Sequence, residues 1–424
     1  MKKIALFILS ILLFAACNKN PDTPGQNFGF VITEQEIDYG ATEVEIKFYS
    51  AKEWTAKSNG KWAALKVTSG SGSKTEQSLK VVVAENDGDE KRKAVIILTD
   101  GDESSMFNLY QRPKNPTKVT LLYWNIQDGM WADQANNYSK FIEWVKKYDP
   151  DICVWNEAAS LYKTGTYTGM SWRTGQFPDG WLPIANKYGH NCVGISYITP
   201  PNKNVGYDHF PQVITTRNTP VVKVEDFIGS TAAKTDTVIT RRGAWQTVEI
   251  AGHTVNFITL HLWPFNYHPN EGSTSTSNLT IGSNYRRAEL MYMFQRSILT
   301  HPNAKDEYWI CLGDFNSRSR MDQWYYNYSG DNLNWFIPHD YIAEATPLID
   351  VVGTFNEGKF CSSTAGSTRI DFVYATPRLM KAVTAAYVPI DDFAVQTPKK
   401  CTFDNGTLYD PSDHRPILVT FEIR

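Results

Sequence analysis

The chain has 424 residues, of which 42% are hydrophobic, and a formal net charge of −3 at pH 7. That length is enough for two or three domains, each with its own core. The near balance of charge, with no basic tail, argues against a protein that captures nucleic acid mainly by non-specific electrostatic attraction. The balanced charge is still compatible with an enzyme that contacts phosphate through metal ions.

The N-terminus predicts a signal peptide over residues 1–16. Two lysines precede an apolar run that is too short to span a bilayer comfortably. The residues Leu-Phe-Ala-Ala-Cys at 13–17 resemble the lipobox of bacterial lipoproteins, which implies that Cys17 is the lipid-modified N-terminus; a plain signal peptide with an incidental cysteine is the alternative. Several acyl chains would give a stable membrane anchor. Polar residues 17–27 would then form a tether, and the expected location is the bacterial cell envelope, at the outer membrane or cell surface.

The five other cysteines predict neither a disulfide framework nor a zinc site, because their number is odd and no CxxC pair occurs. Cys153 and Cys311 lie within apolar runs and are expected to be buried. A bridge between Cys361 and Cys401 stays open as an alternative in an oxidising compartment.

Residues 28–112 predict a small all-β sandwich, because short alternating runs are broken by Gly, Ser, Asn and Asp. The segments Glu-Trp at 53–54, Lys-Trp at 61–62 and Arg-Lys-Ala-Val-Ile-Ile at 92–97 resemble the BACON family. That resemblance implies a spacer or adhesive module, with glycan or mucin as its partner. Trp54 and Trp62 are predicted to be core residues rather than a sugar-binding platform.

Pro113 and Pro116 mark a domain boundary, since paired prolines disfavour continuation of a strand or a helix. Beyond it, seven strand-like segments begin at Val119, Ile152, Val213, Trp245, Val255, Trp309 and Ile370. Helical periodicity appears in 137–148 and 286–299. Many strands with helices between them predict an α+β domain of two sheets covered by helices.

Several strand-like runs of this second domain end in polar residues. Burying such groups without partners would cost several kcal/mol, on the order of 2–7 each, so a metal ion or a phosphate is expected to satisfy them. Each residue taken singly could be an ordinary loop residue, but together they predict one site. The set is Asn125, Glu157, His261, Asp314, Asn316, Asp371, Asp413 and His414.

In residue type, order and strand context, this set resembles the endonuclease/exonuclease/phosphatase superfamily over residues 118–424. The resemblance implies a four-layer α/β/β/α sandwich with the site where the inner strands end. It further implies that Glu157 is the principal metal ligand, supported by Asn125 and Asp413. An all-oxygen set suits Mg²⁺ or Mn²⁺.

The resemblance also implies catalytic roles for the remaining residues. Asp314 and Asn316 match the pair that handles the attacking water and a phosphate oxygen. His414 matches the imidazole that faces the scissile phosphate, with Asp371 as its orienting carboxylate, and His261 matches a second imidazole. Asp314 and His414 both remain candidates for the general base.

Three long inserts, 161–190, 263–284 and 320–341, are rich in aromatic residues and low in periodicity. Such loops near a site usually determine specificity; their aromatic rings could contact the substrate or form the core of an ordered loop. Asp208 is the one candidate partner for His261.

Three functions therefore remain open on the sequence alone. The first is a metal-dependent phosphodiesterase, with nucleic acid as the leading substrate. The second is a phosphomonoesterase or a sphingomyelinase-type phospholipase. The third is a catalytically inactive surface binding protein, which the filled catalytic positions disfavour.

Overall fold

The computed structural model describes residues 28–88, 91–101, 103–114, 117–130, 133, 136–158, 180–196, 212–227, 243–268, 278–365, 367–389, 401–402, 408–409 and 411–423. The predicted signal peptide, Cys17 and the tether lie outside these residues. The chain divides into two compact units between Lys114 and Asn115, within the segment that the sequence predicts as a boundary. No helix in the described ranges is long and apolar enough to cross a membrane.

The first unit consists of nine described strands. In chain order they are β1 (Phe28–Phe30), β2 (Glu34–Ile37), β3 (Thr42–Ser50), β4 (Trp54–Ser58), β5 (Ala63–Leu65), β6 (Ser69–Gly70), β7 (Ser73–Val83), β8 (Arg92–Asp100) and β9 (Glu103–Gln111). They form one sheet of order β1-β3-β7-β5 and another of order β2-β9-β8-β4-β6. Alternate residues of β3, β4 and β8 are buried in a shared apolar core, as the period-2 pattern predicts.

Trp54 belongs to that core, which confirms the prediction for this residue. Its ring packs against Phe48 with the ring centroids 5.0 Å apart. Trp62 is half-buried at the edge of the core, and the Arg92 guanidinium lies over it at 4.5 Å from the ring centroid. The Trp54 indole is therefore buried, and one face of the Trp62 indole is covered by Arg92.

The second unit contains the remaining elements. Its described strands are β10 (Thr117–Asn125), β11 (Ile152–Asn156), β12 (Cys192–Ile195), β13 (Val213–Thr216), β14 (Val221–Asp226), β15 (Gly243–Ile250), β16 (His253–His261), β17 (Tyr308–Asp314), β18 (Ile349–Asp350), β19 (Asp371–Ala375), β20 (Val383–Tyr387), β21 (Cys401–Thr402), β22 (Leu408–Tyr409) and β23 (Ile417–Ile423). Its described α-helices are α1 (Gln127–Met130), α2 (Ser139–Tyr148), α3 (Trp181–Lys187), α4 (Leu279–Phe294), α5 (Gln323–Tyr326), α6 (Ile337–Ala345), α7 (Val351–Phe355) and α8 (Pro377–Met380). Short 3₁₀ helices cover Ile298–Thr300, Ala304–Asp306, Arg320–Asp322 and Gly330–Phe336.

Two six-stranded sheets form the centre of this unit. Their orders are β12-β13-β11-β10-β23-β20 and β14-β15-β16-β17-β19-β18, and β21 pairs with β22 separately. One apolar core fills the space between the sheets. A second core lies between the first sheet and α2 and α3, and a third between the second sheet and α4 and α6. The predicted α/β/β/α sandwich is thereby confirmed.

The buried face of α2 agrees with the sequence prediction, whereas the start of α4 differs from it. Helix α2 buries Phe141, Trp144 and Val145, the three residues that the periodicity places on one face. Helix α4 begins well before the predicted residue 286, because the Asn278 side chain caps it by accepting hydrogen bonds from the backbone N–H groups of Thr280 and Ile281. Part of the insert predicted as a loop at 263–284 is therefore helical.

The insert at 320–341 is also more ordered than predicted. It is built from the short helices α5 and Gly330–Phe336 and from the start of α6. Turns of this length close local hydrogen bonds without an apolar stripe of period 3.6, so periodicity does not reveal them.

Among the described cysteines, Cys153 and Cys311 are buried free thiols, as predicted. Cys361 is also a buried free thiol, and the side chain of Cys401, its predicted alternative partner, lies outside the described part of the chain.

Candidate active site

The site forms where strands of both sheets end. In the second sheet His261, Asp314 and Asp371 are paired in register across β16, β17 and β19. In the first sheet Asn125 is paired with Asn156 at the ends of the parallel strands β10 and β11. Because neighbouring strands deliver these residues side by side, the sheet register alone brings most of the predicted set together.

The backbone is strained at three points of the site. Glu157 and Asn316 have positive φ angles of 52° and 46°, and Gly313 has a φ of 153°. A Cβ atom at Gly313 would overlap the carbonyl oxygen of Leu260 on the adjacent strand. A glycine is therefore required immediately before Asp314, and such strain is typical of functional sites.

Asn125 lies between two carboxylates. Its Nδ2 is 3.3 Å from Oε1 of Glu157 and 3.2 Å from Oδ2 of Asp314. Its Oδ1 accepts a hydrogen bond of 3.1 Å from the backbone N–H of Gln127, and the backbone carbonyl of Asn125 accepts one of 2.7 Å from the Ser412 hydroxyl. The side-chain amide thus has its nitrogen facing the two acids.

Asp314 is the centre of the constellation. Its Oδ1 accepts a hydrogen bond of 2.9 Å from the backbone N–H of Asn316. Its Oδ2 lies 3.7 Å from Nε2 of His261 and 3.8 Å from Nε2 of His414. Burial, together with the negative charge of Asp371, raises the pKa of Asp314 to about 8. A carboxyl group of this kind can exchange a proton near neutral pH.

His414 is oriented by a buried carboxylate. Its Nδ1 is 2.7 Å from Oδ2 of Asp371, which leaves Nε2 facing Asp314. Burial lowers the pKa of His414, but the charge and hydrogen bond of Asp371 outweigh that effect and raise the pKa well above its usual value. The imidazole is therefore held as a cation.

Asp371 is saturated by donors. Its Oδ1 accepts a hydrogen bond of 2.7 Å from the Tyr123 hydroxyl, and its Oδ2 accepts one of 2.8 Å from the Ser363 hydroxyl in addition to the His414 ring. Asn156 donates in turn to the Tyr123 hydroxyl over 3.2 Å. The carboxylate is thus fully engaged in orienting His414.

These observations decide where a cation would fit. Asp314, Asp371 and His414 are close enough together to hold one, but an ion there would have to displace the donors of Asp371. Glu157 is better suited, because its carboxylate converges with Asp314 on a single neutral amide and its side chain is 18% exposed. A hard cation would relieve the repulsion between these two acids, and the oxygen donors suit Mg²⁺ or Mn²⁺.

The other predicted residues lie around this centre. Asn316 donates through Nδ2 to the Leu262 carbonyl over 3.0 Å and so ties together the loops that follow β16 and β17. Nε2 of His261 lies 3.9 Å from Oε1 of Glu157. The side chain of Asp413 is 60% exposed, with Oδ1 3.9 Å from Nε2 of His414. Asp208, the candidate partner of His261, lies outside the described residues.

Four supporting residues were missed by the sequence reasoning: Tyr123, Asn156, Ser363 and Ser412. Ser412 carries a detectable signal, since a serine two residues before His414 can accept its backbone N–H, and it does so over 3.0 Å. Tyr123 and Ser363 reach Asp371 from distant parts of the chain. No local pattern marks such contacts.

The tryptophans of the three inserts differ in exposure. Trp181 is buried and stacks on Trp155, so it is a core residue. Trp324 is 57% exposed, and Trp263 and Trp335 are half-buried. Trp172 lies outside the described residues.

Comparison with known families gives two matches. Residues 122–414 match the model described as "Endonuclease/Exonuclease/phosphatase family", which is more than half of the chain. Residues 52–112 match the model described as "BACON: Putative binding domain, N-terminal". None of the curated proteins compared with the sequence matches it.

Solved structures similar to the chain include an AP endonuclease from Archaeoglobus fulgidus, at 15% identity and a TM-score of 0.44, over 72% of this chain and 99% of that one. D. rerio TDP2 complexed with a single-strand DNA product is 16% identical, with a TM-score of 0.42, over 72% and 99% of the two chains. The human Nocturnin catalytic domain with a bound sulfate anion is 13% identical, with a TM-score of 0.41, over 73% and 95%.

Proposed function

The chain belongs to the endonuclease/exonuclease/phosphatase family, and we propose that it is a divalent-metal-dependent phosphodiesterase with nucleic acid as its leading substrate class. The observation that carries the proposal is the convergence of Glu157, Asp314, His261 and the His414–Asp371 pair on one strand-end cleft. Phosphodiester hydrolysis uses groups of these kinds: carboxylates that bind a cation, a general base that accepts the proton of water, and imidazoles that stabilise negative charge on the phosphate.

Glu157 would hold the cation, either Mg²⁺ or Mn²⁺. Asn125 would support it once its amide turns to present Oδ1 instead of Nδ2, and Asp413 is proposed as a further ligand. When bound, the ion supplies positive charge to the phosphate oxygens and lowers the pKa of water.

Asp314 is the general base in this proposal. Its raised pKa matches the proton-transfer task better than an ordinary aspartate would. Its Oδ1 is held by the Asn316 backbone, which leaves Oδ2 to accept the proton of an attacking water. Asp314 is favoured over His414 as the base, because a cationic imidazole has no free lone pair, whereas the ionised fraction of Asp314 near neutral pH can accept a proton.

His414 then acts on the substrate as a cationic donor. With Nδ1 bound to Asp371, Nε2 is directed at the cleft and can donate to a phosphate oxygen as negative charge develops there. His261 presents its Nε2 to the same space and can stabilise a second oxygen. Asp371 does not contact the substrate; it is a positioning residue.

A substrate panel with Mg²⁺ and with EDTA tests the proposal. Release of acid-soluble nucleotide from DNA or RNA, abolished by EDTA and by Glu157→Ala or His414→Ala, is the expected result. Phosphate release from inositol phosphates, or phosphocholine release from sphingomyelin, would instead assign the enzyme to another substrate class. Near-normal turnover by either variant would contradict the assigned site.

The N-terminal region carries two further parts of the proposal. The leader and Cys17 support lipid anchoring in the bacterial cell envelope. The match of residues 52–112 to a binding-domain family supports a glycan or mucin contact for the first unit. Retention of that unit on a mucin column is expected, and failure to bind any glycan on an array would leave it as a spacer.

A further inference from the structure

Arg318 lies just beyond the catalytic strand β17, two residues after Asn316. Its guanidinium carbon is 3.9 Å from the ring centroid of Trp335, and its backbone N–H donates to the Trp335 carbonyl over 3.1 Å. The Nε atom is buried without a hydrogen-bond partner. Among the described residues the guanidinium has no carboxylate within ion-pair distance, although the side chain is partly exposed to solvent.

Within the described part of the chain, the neighbouring arginines, unlike Arg318, form ion pairs with carboxylates. Arg320 makes two hydrogen bonds to the Asp340 carboxylate, of 2.6 and 2.8 Å. Arg369 is neutralised by Asp322 and Asp350. Arginine presents its donors in a fork that matches a phosphate in a bidentate manner. A guanidinium that is held in place by an indole and left without an acid is therefore suited to an anion from outside the chain.

The Trp335 ring also connects Arg318 to the loop that follows His261. The guanidinium carbon of Arg286 lies 5.3 Å from the same ring centroid. Arg286 is fully buried and donates through one nitrogen to the carbonyls of Trp263 and Phe265 over 3.0 and 3.1 Å. The Trp335 ring thus contacts two guanidinium groups, that of Arg318 after β17 and that of Arg286 in α4.

This position is close to the catalytic residues. Three residues lie between Asp314 and Arg318, so their Cα atoms, four steps apart along the chain, are at most about 14 Å apart. A substrate with its scissile phosphate at Asp314 and a second phosphate at Arg318 would have to span no more than about this distance. The cation–π contact with Trp335 pre-orders the side chain and reduces the entropy lost on binding.

We propose that Arg318, held by Trp335, binds a second phosphate group of the substrate, next to the phosphate that is hydrolysed. The inference rests on the proposed phosphodiesterase function. It predicts preference for substrates with at least two phosphates, such as oligonucleotides, over simple phosphodiesters.

Two chromogenic substrates with the same leaving group test it. Thymidine 5′-(p-nitrophenyl phosphate) has one phosphate, and thymidine 3′,5′-bis(p-nitrophenyl phosphate) has two. For the wild type, kcat/KM should be about tenfold higher for the two-phosphate substrate, the gain expected from one charge-assisted contact. Arg318→Ala should remove that preference, Arg318→Lys should retain part of it, and Arg320→Ala should keep it in full.

A binding measurement separates this proposal from the proposed function. A fluorescein-labelled thymidine trinucleotide, titrated in EDTA, should bind the wild type about tenfold more tightly than Arg318→Ala, with a shallower salt dependence in the variant. Inositol hexakisphosphate as a competitor distinguishes a phosphodiester chain from a clustered polyphosphate: stronger competition than by the trinucleotide would assign the site to the latter.

Equal preference for two phosphates in Arg318→Ala and wild type, with equal trinucleotide binding, would overturn the inference. A uniform loss on both substrates with a lowered melting temperature would assign Arg318 a structural role only, and that outcome would also overturn it. If neither substrate is hydrolysed by the wild type while Arg318-dependent binding persists, the proposed function fails and the phosphate site stands.

Discussion

Nε2 of His261 lies 3.7 Å from Oδ2 of Asp314, and the two residues are paired in register on the parallel strands β16 and β17. The geometry of the site therefore depends on how closely these strands approach. Gly313 permits that approach, because its missing Cβ leaves room for the Leu260 carbonyl.

Substitution of Gly313 by alanine is expected to destabilise the second unit by about 3 kcal/mol and to remove activity, since both the positive φ and the contact with Leu260 become unfavourable. Urea unfolding measures the loss. Gly358→Ala is the matched control, because Gly358 also has a positive φ of 75° but open space around it; its cost should be about 1 kcal/mol. Similar losses in the two variants would show that strand approach is not limiting.

His414 is expected to remain protonated through neutral pH in the metal-free protein. Its pKa is raised by Asp371, so the titration midpoint of its Cε1 proton resonance should lie well above that of an ordinary histidine. In Asp371→Asn the opposing effect of burial prevails, and the midpoint should move to lower pH. Proton NMR, with the resonance assigned from His414→Gln, checks both. Titration of the wild-type residue near its ordinary pKa would contradict the pairing of the His414 ring with the Asp371 carboxylate.

His339 should make the stability of the second unit depend on pH. Its Nε2 is 2.9 Å from the Ser317 hydroxyl and its Nδ1 is 2.7 Å from the Tyr374 hydroxyl. Burial, followed by the positive charge of Arg369, places its pKa well below the usual value. The unfolded chain therefore binds a proton at His339 at a pH where the folded protein does not. The contribution of His339 to the free energy of unfolding is fully present above about pH 6.5 and is lost as the pH falls below that value.

The loss attributed to His339 should approach about 1.4 kcal/mol per pH unit below that point. Urea unfolding between pH 5 and pH 7.5 measures it, with His339→Gln as the comparison. The free energy of unfolding of the variant should depend less steeply on pH. Parallel pH profiles for the two proteins would assign the dependence to other groups.

Cys17 should determine membrane association. Replacing it with serine is expected to abolish incorporation of labelled palmitate and to move the protein out of the detergent phase of a Triton X-114 extraction. Cys192→Ser is a suitable control, since Cys192 is a half-buried free thiol of the second unit. Unchanged partitioning of the Cys17 variant would favour a plain signal peptide.

Much of this architecture is predictable from local sequence patterns. Each of the seven predicted strand starts lies within two residues of an observed one, from Val119 in β10 to Ile370 beside β19. The residues of the site lie at the ends of apolar runs. A polar residue at such a position is costly to bury without a partner, so it indicates a functional site. Side chains such as Asp314 are recognisable for that reason.

The remaining features depend on long-range packing. The hydroxyl of Tyr123 reaches Asp371 across 248 positions of sequence, and only the fold places them together. The same holds for Arg318 and Trp335, whose contact arises from a segment of short helices without periodicity. The orientation of the Asn125 amide likewise depends on the backbone N–H of Gln127, and the Asn125 backbone is held by Ser412 from 287 positions along the chain.

The central claim is that Glu157 holds a hard cation at the strand ends. Titration of Mn²⁺ into the protein, with the free ion measured by electron paramagnetic resonance, tests it directly. The wild type and Glu344→Gln, which alters an exposed acid of α6, should bind the ion equally, and Glu157→Gln should bind it at least about tenfold more weakly. Equal affinity in all three proteins would contradict the account.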